Sequence, residues 1–444
     1  MPMGGGTFTV QNKILPGAYI NFVSAGGAAR LGSRGVAALP LELNWGPENK
    51  IVAMYAEDFN QTAEKVLGYD PTAPELLLMR EALKRARCLL FYRVNSNGEK
   101  ATKTIGGLTV TAKWSGVRGN VIHVAILTNV DKESDVDVVT YLDRKEVDRQ
   151  TVAASGGAAK LTANEYVTFG TAATLTAAAA TPLAGGSNGT VDGADYTAFL
   201  NALEVENFNT VGYPGSDDDI KSLLAAFVKR LRYDNGTKVV GVLYNYKGDD
   251  IGLINVKNGV KLANGTTVSG KDAVAWVTGA SAGAEVNESL TNAAYDDAVD
   301  VDIKYTKSQY EAAIQAGEFA FYADNGKARV VTDINSLTTF GQGVSEDWTS
   351  NRVVRVMDGW ANDAARIFGE QYIGLVTNSD TGRQLYKADL VSLANQYQQI
   401  DAISNFTSYD IDIQQGLGKR DVVVECALQP NDSMEKLYMT VSIS

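Results

Sequence analysis

Hydrophobic positions along the chain follow two periods, and the places where the period changes divide it. From Val36 to about Val94 helical and strand patterns alternate. The spacing predicts a helix over 56–67, with Gly68 placed to cap its C-terminus. Pro74 opens a second helix with Glu75 in its first turn, where the macrodipole favours an anion. Leu76, Met79, Leu83 and Ala86 follow at helical intervals. Residues 88–94, Cys-Leu-Leu-Phe-Tyr-Arg-Val, are an apolar run of strand length and read as a buried strand. Over 95–190 the helical period nearly vanishes. Strand-like alternation appears at 108–114, 121–127, 136–142 and 167–170, between turn clusters at 95–98 and 185–193. This reads as a β domain inserted into an α/β chain, joined by flexible Gly/Asn/Ser seams and separable from it.

The α/β pattern resumes at Asp195. Helix is expected over 196–203 and strand over 208–213. Ser216 is placed to cap the next helix, with Asp217, Asp218 and Asp219 in its first turn. Ile220, Leu223, Leu224, Phe227 and Leu231 then form one apolar stripe. Asn235-Gly236 ends that helix, and 238–244 is the next buried strand. Strand, helix and strand in so little chain imply a parallel pair with a right-handed crossover. Further helices are expected over 271–282 and 308–316, and a hairpin about Asn325-Gly326. Beyond Ser350 come long helices over 352–368 and 385–402 and a strand over 421–428.

The two ends fit neither pattern. Near the start, Thr7, Phe8, Thr9 and Val10 alternate, and a second short strand falls at 18–23. At the other end Leu437, Met439, Val441 and Ile443 face one way, and Lys436, Tyr438, Thr440 and Ser442 the other. A lone strand with one apolar face is unstable and must join a sheet. Either both ends pair within the same subunit as edge strands, or they reach into neighbouring subunits by strand addition. In the second case Phe8, Val10, Ile20 and Phe22 at one end, and Leu437, Met439, Val441 and Ile443 at the other, make the inter-subunit strand contacts. The expected fold is therefore an α/β (mixed α+β) core with an inserted all-β domain and extended N- and C-terminal strand arms. The segments are an arm at 1–23, core at 24–94, insertion at 95–190, core at 191–345, a C-terminal part at 346–433 and an arm at 434–444.

Composition narrows the function. The 444 residues carry 52 Asp+Glu against 40 Lys+Arg, a formal net charge of -12. Nucleic-acid binders show a basic excess, so no nucleic-acid partner is expected. Two cysteines cannot make a disulfide framework, and one histidine excludes sites that need two imidazoles. Apolar runs such as 121–127 and 223–228 are too short to span a bilayer, so no membrane insertion is expected. The start lacks a basic region followed by an apolar core, and the protein is expected to be made in the cytoplasm.

Candidate chemistry is sparse. His123 lies mid-strand with no nucleophile and third group around it, and reads as a half-buried sheet histidine. Cys88 and Cys426 both sit in apolar strand runs and read as small buried hydrophobes. The glycines at 26, 27, 32 and 35 match neither a dinucleotide loop nor a phosphate loop, and Gly341-Gln-Gly343 stands alone. Asp217–Asp219 read as helix capping, and Asp296, Asp297, Asp300 and Asp302 as a solvated strand face; neither has calcium-loop spacing. No catalytic residue, cofactor or metal ligand is assigned.

Several blocks carry a family likeness. Pro16-Gly-Ala-Tyr-Ile-Asn21, Gly35-Val-Ala-Ala-Leu-Pro40 with Trp45-Gly-Pro47, and Trp114-Ser-Gly-Val-Arg-Gly-Asn120 occur in order. Arg329-Val-Val-Thr332 precedes Asn335-Ser-Leu-Thr-Thr339, and Asp421-Val-Val-Val424 precedes the stretch from Asp432 to Val441. Over nearly its whole length the chain resembles the tail sheath proteins of contractile phages and phage-like particles, of the type found in Gram-positive prophages. The resemblance implies hexameric rings stacked helically around a tail tube, with baseplate and tail terminator proteins as further partners. It implies an outward insertion, and arms of neighbouring subunits adding to a sheet in a third. On triggering, the sheath shortens and drives the tube through a target envelope, using energy stored in subunit interfaces. The resemblance also puts the inner wall in the C-terminal part. There Leu385, Leu390, Leu393, Ala394 and Tyr397 are expected to face the core, leaving Arg383 and Lys387 for the tube. Arg352 and Arg355, with Arg366, are the competing candidates, unless both helices only pack the core and face solvent. A capsid or surface-array protein, or an α/β enzyme, are the other readings of such a chain.

Overall fold

The computed structural model describes residues 4–6, 17–19, 32–341 and 343–443. The chain forms two compact units, a larger one from 33–358 with 432–444 and a smaller one from 1–32 with 359–431. At the start of the smaller unit, Gly4–Gly6 (β1) pairs in parallel with Gly17–Tyr19 (β2). The N-terminal stretch thus has a local pairing that its sequence did not suggest. Phe8, Val10, Ile20 and Phe22 lie outside the described residues.

The larger unit is built on a wound sheet. Val36–Leu41 (β3) is flanked by Cys88–Arg93 (β5) in parallel, and Ile51–Tyr55 (β4) closes that edge antiparallel to β5. Between β4 and β5 run Phe59–Leu67 (α1) and Leu77–Leu83 (α2), the latter led in by a turn of 3-10 helix from Pro74. Gly68 caps α1 in the left-handed conformation, φ 73°. Every residue of β5 is buried. Leu89 and Phe91 pack with Met79, Ala82 and Leu83 on one face, while Cys88, Leu90 and Tyr92 pack on the other. Burial on both faces is why this strand reads as a continuous apolar run instead of an alternating one.

The insertion is a β sandwich. One sheet joins Thr102–Ile105 (β6), Leu108–Ala112 (β7) and Val167–Phe169 (β11) in the order β11-β7-β6. The other joins Ile122–Thr128 (β8), Asp135–Leu142 (β9), Lys145–Ala153 (β10) and Ala178–Pro182 (β12) in the order β10-β9-β8-β12. β6, β10 and β12 are all edge strands with few buried side chains, so they leave little apolar signal in the sequence.

Beyond the insertion the wound sheet continues. Gly193–Leu203 (α3) opens with a capping box between Asp192 and Asp195. Thr210–Tyr213 (β13) joins β3 in parallel, Asp218–Tyr233 (α4) crosses over, and Val240–Tyr244 (β14) pairs in parallel with β13. The N-cap of α4 is Asp217, whose Oδ1 accepts from Asp219 N (2.9 Å) and Ile220 N (3.2 Å), one residue later than Ser216. A carboxylate at that position meets both orphan amides and the helix dipole, so it displaces the hydroxyl. Leu253–Val256 (β15) extends the sheet; Val260–Leu262 (β16) and Thr267–Val268 (β17) begin a three-stranded sheet. Gly270–Gly283 (α5), Ala298–Val301 (β18), Lys307–Gln315 (α6) and Glu318–Phe319 (β19) follow, giving the main order β19-β15-β14-β13-β3-β5-β4. Phe321–Asp324 (β20) and Lys327–Val330 (β21) form the expected hairpin, with Asn325 at φ 48° and Gly326 at φ 73°.

Asn351–Gln371 (α7) contributes residues up to Asp358 to the larger unit and from Gly359 onward to the smaller. The smaller unit adds Asp380–Gln399 (α8), the pair Ile403–Ser404 (β22) with Gln429–Pro430 (β25), and the hairpin Ile411–Gln415 (β23) with Val422–Cys426 (β24).

Candidate assembly interface

The chemistry-bearing residues serve the fold. His123 is half-buried in β8 opposite Tyr141, with Nδ1 3.0 Å from Val121 O. Cys88 is buried as expected, but Cys426 is exposed, on a strand none of whose residues is fully buried. The sheet does reverse its strand order beside β3, where folds of this kind bind ligands at the C-terminal strand ends. Here Tyr213 at the end of β13 meets Tyr196 edge-on at 5.3 Å, and the α4 amides are already satisfied by Asp217. Among the acidic residues, Asp296 is no solvated bystander: Oδ2 accepts from Arg85 Nε (2.6 Å) and Trp276 Nε1 (2.9 Å). Among the described residues no group of carboxylates, thiols and imidazole has the makings of a metal site.

The C-terminal segment differs from everything before it. Leu437, Met439, Val441 and Ile443 are 83%, 72%, 73% and 97% exposed, and 431–443 form no strand. The expected alternation is present, yet among the described residues no sheet takes it up. Its root is nonetheless fixed. Glu435 Oε1 accepts from Thr291 Oγ1 (2.7 Å) and Oε2 from Thr332 Oγ1 (3.1 Å), and Asp432 Oδ1 accepts from Ser350 Oγ (3.0 Å). An anchored root followed by an exposed apolar row leaves a surface open to a further strand.

The smaller unit offers open edges. β23 and β24 pair only with each other among the described residues, so each has an outer edge without a strand. Ile411 and Ile413 are buried on the α8 side, while Val423 is 43% exposed. On α8 the buried stripe is Tyr386, Leu390, Leu393, Ala394 and Tyr397. Leu385, expected in that stripe, is instead exposed: it lies five residues from Leu390, off the helical repeat that Tyr386 satisfies. Lys387 is half-buried on α8, and Arg383 is held by Asp380 and by Asn378 Oδ1 (2.8 Å).

The competing pair on α7 fares differently. Arg352 is half-buried. Arg355 is 4% exposed, donates to the Glu288 carbonyl and pairs with Asp333 Oδ2 at 3.4 Å, so it braces the larger unit and does not reach outward. The spacing of α7 could not reveal this, because the carboxylate that claims Arg355 is remote in sequence.

Comparison with known proteins follows the same lines. Family models match residues 34–94 (tail sheath protein Gp18 domain III N-terminal region), 96–188 (phage tail sheath protein beta-sandwich domain), 189–336 (phage tail sheath protein central domain) and 344–444 (phage tail sheath C-terminal domain). The chain is 37% identical to protein XkdK of the phage-like element PBSX of Bacillus subtilis, over 100% of each. It is similar to the crystal structure of a sheath tail protein from Desulfitobacterium hafniense, at 45% identity and TM-score 0.86, covering 95% of this chain and 99% of that one. The fold alone extends to the contracted helical sheath of the anti-feeding prophage, at 11% identity and TM-score 0.58 over 97% and 99% of the two chains. A wound α/β core with a sandwich insertion and an outlying apolar arm defines a structural subunit of a larger assembly. The chain belongs to the phage tail sheath family, of the kind carried by Gram-positive prophages. That membership decides against the capsid and surface-array alternative.

Proposed function

We propose that this chain polymerises as stacked hexameric rings around a tail tube and contracts to drive the tube through a target cell envelope. It is made in the host bacterial cytoplasm and ends in the tail of a virion or phage-like particle. The observation that carries this reading is the arm: an exposed alternating row at 437–443, rooted at Glu435 and unpaired among the described residues. The outer edges of β23 and β24 in a second copy suit such a strand, and Val423 beside them gives its apolar row a surface to cover. Contacts of this kind are heterologous and need not close on themselves, so they propagate a helical stack. The tube contact falls to α8 with the half-buried Lys387 and Arg383; Arg355 leaves the candidate set. Baseplate and terminator proteins cap the two ends of the stack, and the chain itself carries out no catalysis. Electron microscopy of the purified chain tests this: hollow striated cylinders are expected. Closed shells, sheets or dispersed particles at every concentration would count against it.

A further inference from the structure

The two motif blocks of 45–47 and 114–120 have no role in assembly as described above, yet the structure brings them together. Trp45 leaves the α/β core and is buried, 1% exposed, in the hydrophobic cluster of the inserted sandwich with Ala101, Leu108 and Ile122. Arg93, at the end of β5, is fully buried. Its Nη1 donates to Ser115 O of the insertion at 2.9 Å and to Gly46 O of the core at 3.2 Å. Burial pulls the guanidinium down to about 10, opposed by Glu48, so it stays charged at neutral pH. Arg118 reaches back the other way: Nε donates to Gly68 O at 2.6 Å, and the guanidinium lies 4.2 Å from the Tyr69 ring centroid.

The seams themselves are packed. Gly116 has φ 125°, and a Cβ there would overlap the Asn44 carbonyl. A Cβ on Gly189 would overlap the Asn97 side chain. Asn188 Nδ2 donates to Asn44 Oδ1 at 2.8 Å, while its Oδ1 accepts from Val117 N at 3.1 Å. Asn120 holds Gly186 by a reciprocal pair of 2.8 Å hydrogen bonds. The glycines and asparagines that read as flexible in sequence are there to let two backbones approach closely.

We infer that Trp45, Arg93 and Arg118 form a fixed joint that holds the insertion at one orientation on the α/β core, so that the insertion is neither a swinging nor a separable module. A buried cation whose acceptors come from both sides has no second arrangement that keeps it satisfied. The test uses the full chain in a Cys426→Ser background, spin-labelled at Val130→Cys on the insertion and Val205→Cys on the core. These sites are 93% and 83% exposed. A second pair, Val130→Cys with Lys160→Cys, lies wholly inside the insertion and serves as the control. Labelled chain is diluted into unlabelled chain so that only intramolecular distances are read. The core–insertion distribution should be as narrow as the control, and Arg93→Met should broaden it while leaving the control unchanged. A broad distribution in the parent chain overturns the joint, as does an unchanged width in a folded Arg93→Met chain. Where Arg93→Met fails to fold, Arg118→Gln is read instead: broadening supports the joint, and an unchanged width overturns it.

Discussion

Arg232 and Asp358 form a bidentate ion pair inside the larger unit, Nη1 to Oδ2 at 2.6 Å and Nη2 to Oδ1 at 2.9 Å, with Arg232 only 1% exposed. Arg232 Nη1 also donates to Val239 O at 2.8 Å, so the pair ties α4 and the residue leading into β14 to α7. Removing one partner leaves a buried charge uncompensated. Asp358→Ala should therefore lower stability by about 3–5 kcal/mol, read as a shift of the urea midpoint. The double replacement Arg232→Met with Asp358→Leu should recover most of that loss. Equal loss in both variants would mean that the pair is not the source.

Trp45→Ala removes a large side chain that the core lends to the insertion. A cost of about 3–5 kcal/mol is expected. It should appear as early unfolding of the insertion, followed by amide exchange in β7 and β8. Loss confined to α1 and α2 would contradict the shared cluster.

The arm predicts a row effect. Deleting 434–444 should leave a folded core that no longer forms cylinders. Val441→Lys, on the apolar row, should do the same by placing a charge against the receiving sheet. Thr440→Lys, on the other row, should be tolerated. Normal cylinders from the deleted chain, or equal behaviour of the two lysine variants, would sink strand addition.

The tube contact separates the candidates on α8 from those on α7. Lys387→Glu should weaken sheath–tube co-assembly most at low salt while sheath alone still polymerises. Arg355→Glu should instead destabilise the larger unit, since it sets a second carboxylate against Asp333. Tube binding that ignores Lys387→Glu at every ionic strength would move the contact elsewhere.

Asp249 gives a pH signature. The Thr339 side chain first, then the amides of Thr338 (2.7 Å) and Thr339 (2.9 Å), donate to its carboxylate and hold it down at about 2. A depressed carboxylate contributes stability that is fully present above its unfolded value and is lost as pH falls through the folded one. The Thr338 and Thr339 amide resonances should hold steady down to about pH 4 and then titrate with a midpoint of about 2. A midpoint at the ordinary aspartate value would remove the interaction.

How much of this was legible in sequence follows from where the information lies. The stripe of α4, the buried run of β5 and the turn at Asn325-Gly326 are local patterns, and they read true. Leu385 shows the limit of local reading, since apolar character alone did not say which side of a helix turn the core would claim. Arg355 and Arg93 show a second limit. Arg355 looks like a surface cation until Asp333 claims it, and Arg93 lies in a run that reads as buried without showing that its acceptors would be Gly46 O and Ser115 O. The seams at 95–98 and 185–193 show a related limit, since Gly98 and Gly189 sit in close backbone and side-chain contacts. Glycine marks close approach as readily as freedom, and composition does not distinguish the two.

The root of the arm sets a length. From Glu435, held at Thr291 and Thr332, it is eight residues to Ile443, the last apolar position of the row. Fully extended at about 3.3 Å per residue they span about 26 Å. In the strand addition proposed above, the row is a leash of that reach from its root. A neighbour that receives it must keep its acceptor edge inside that radius at every stage of any rearrangement, so the arm limits how far two linked subunits can part while still joined.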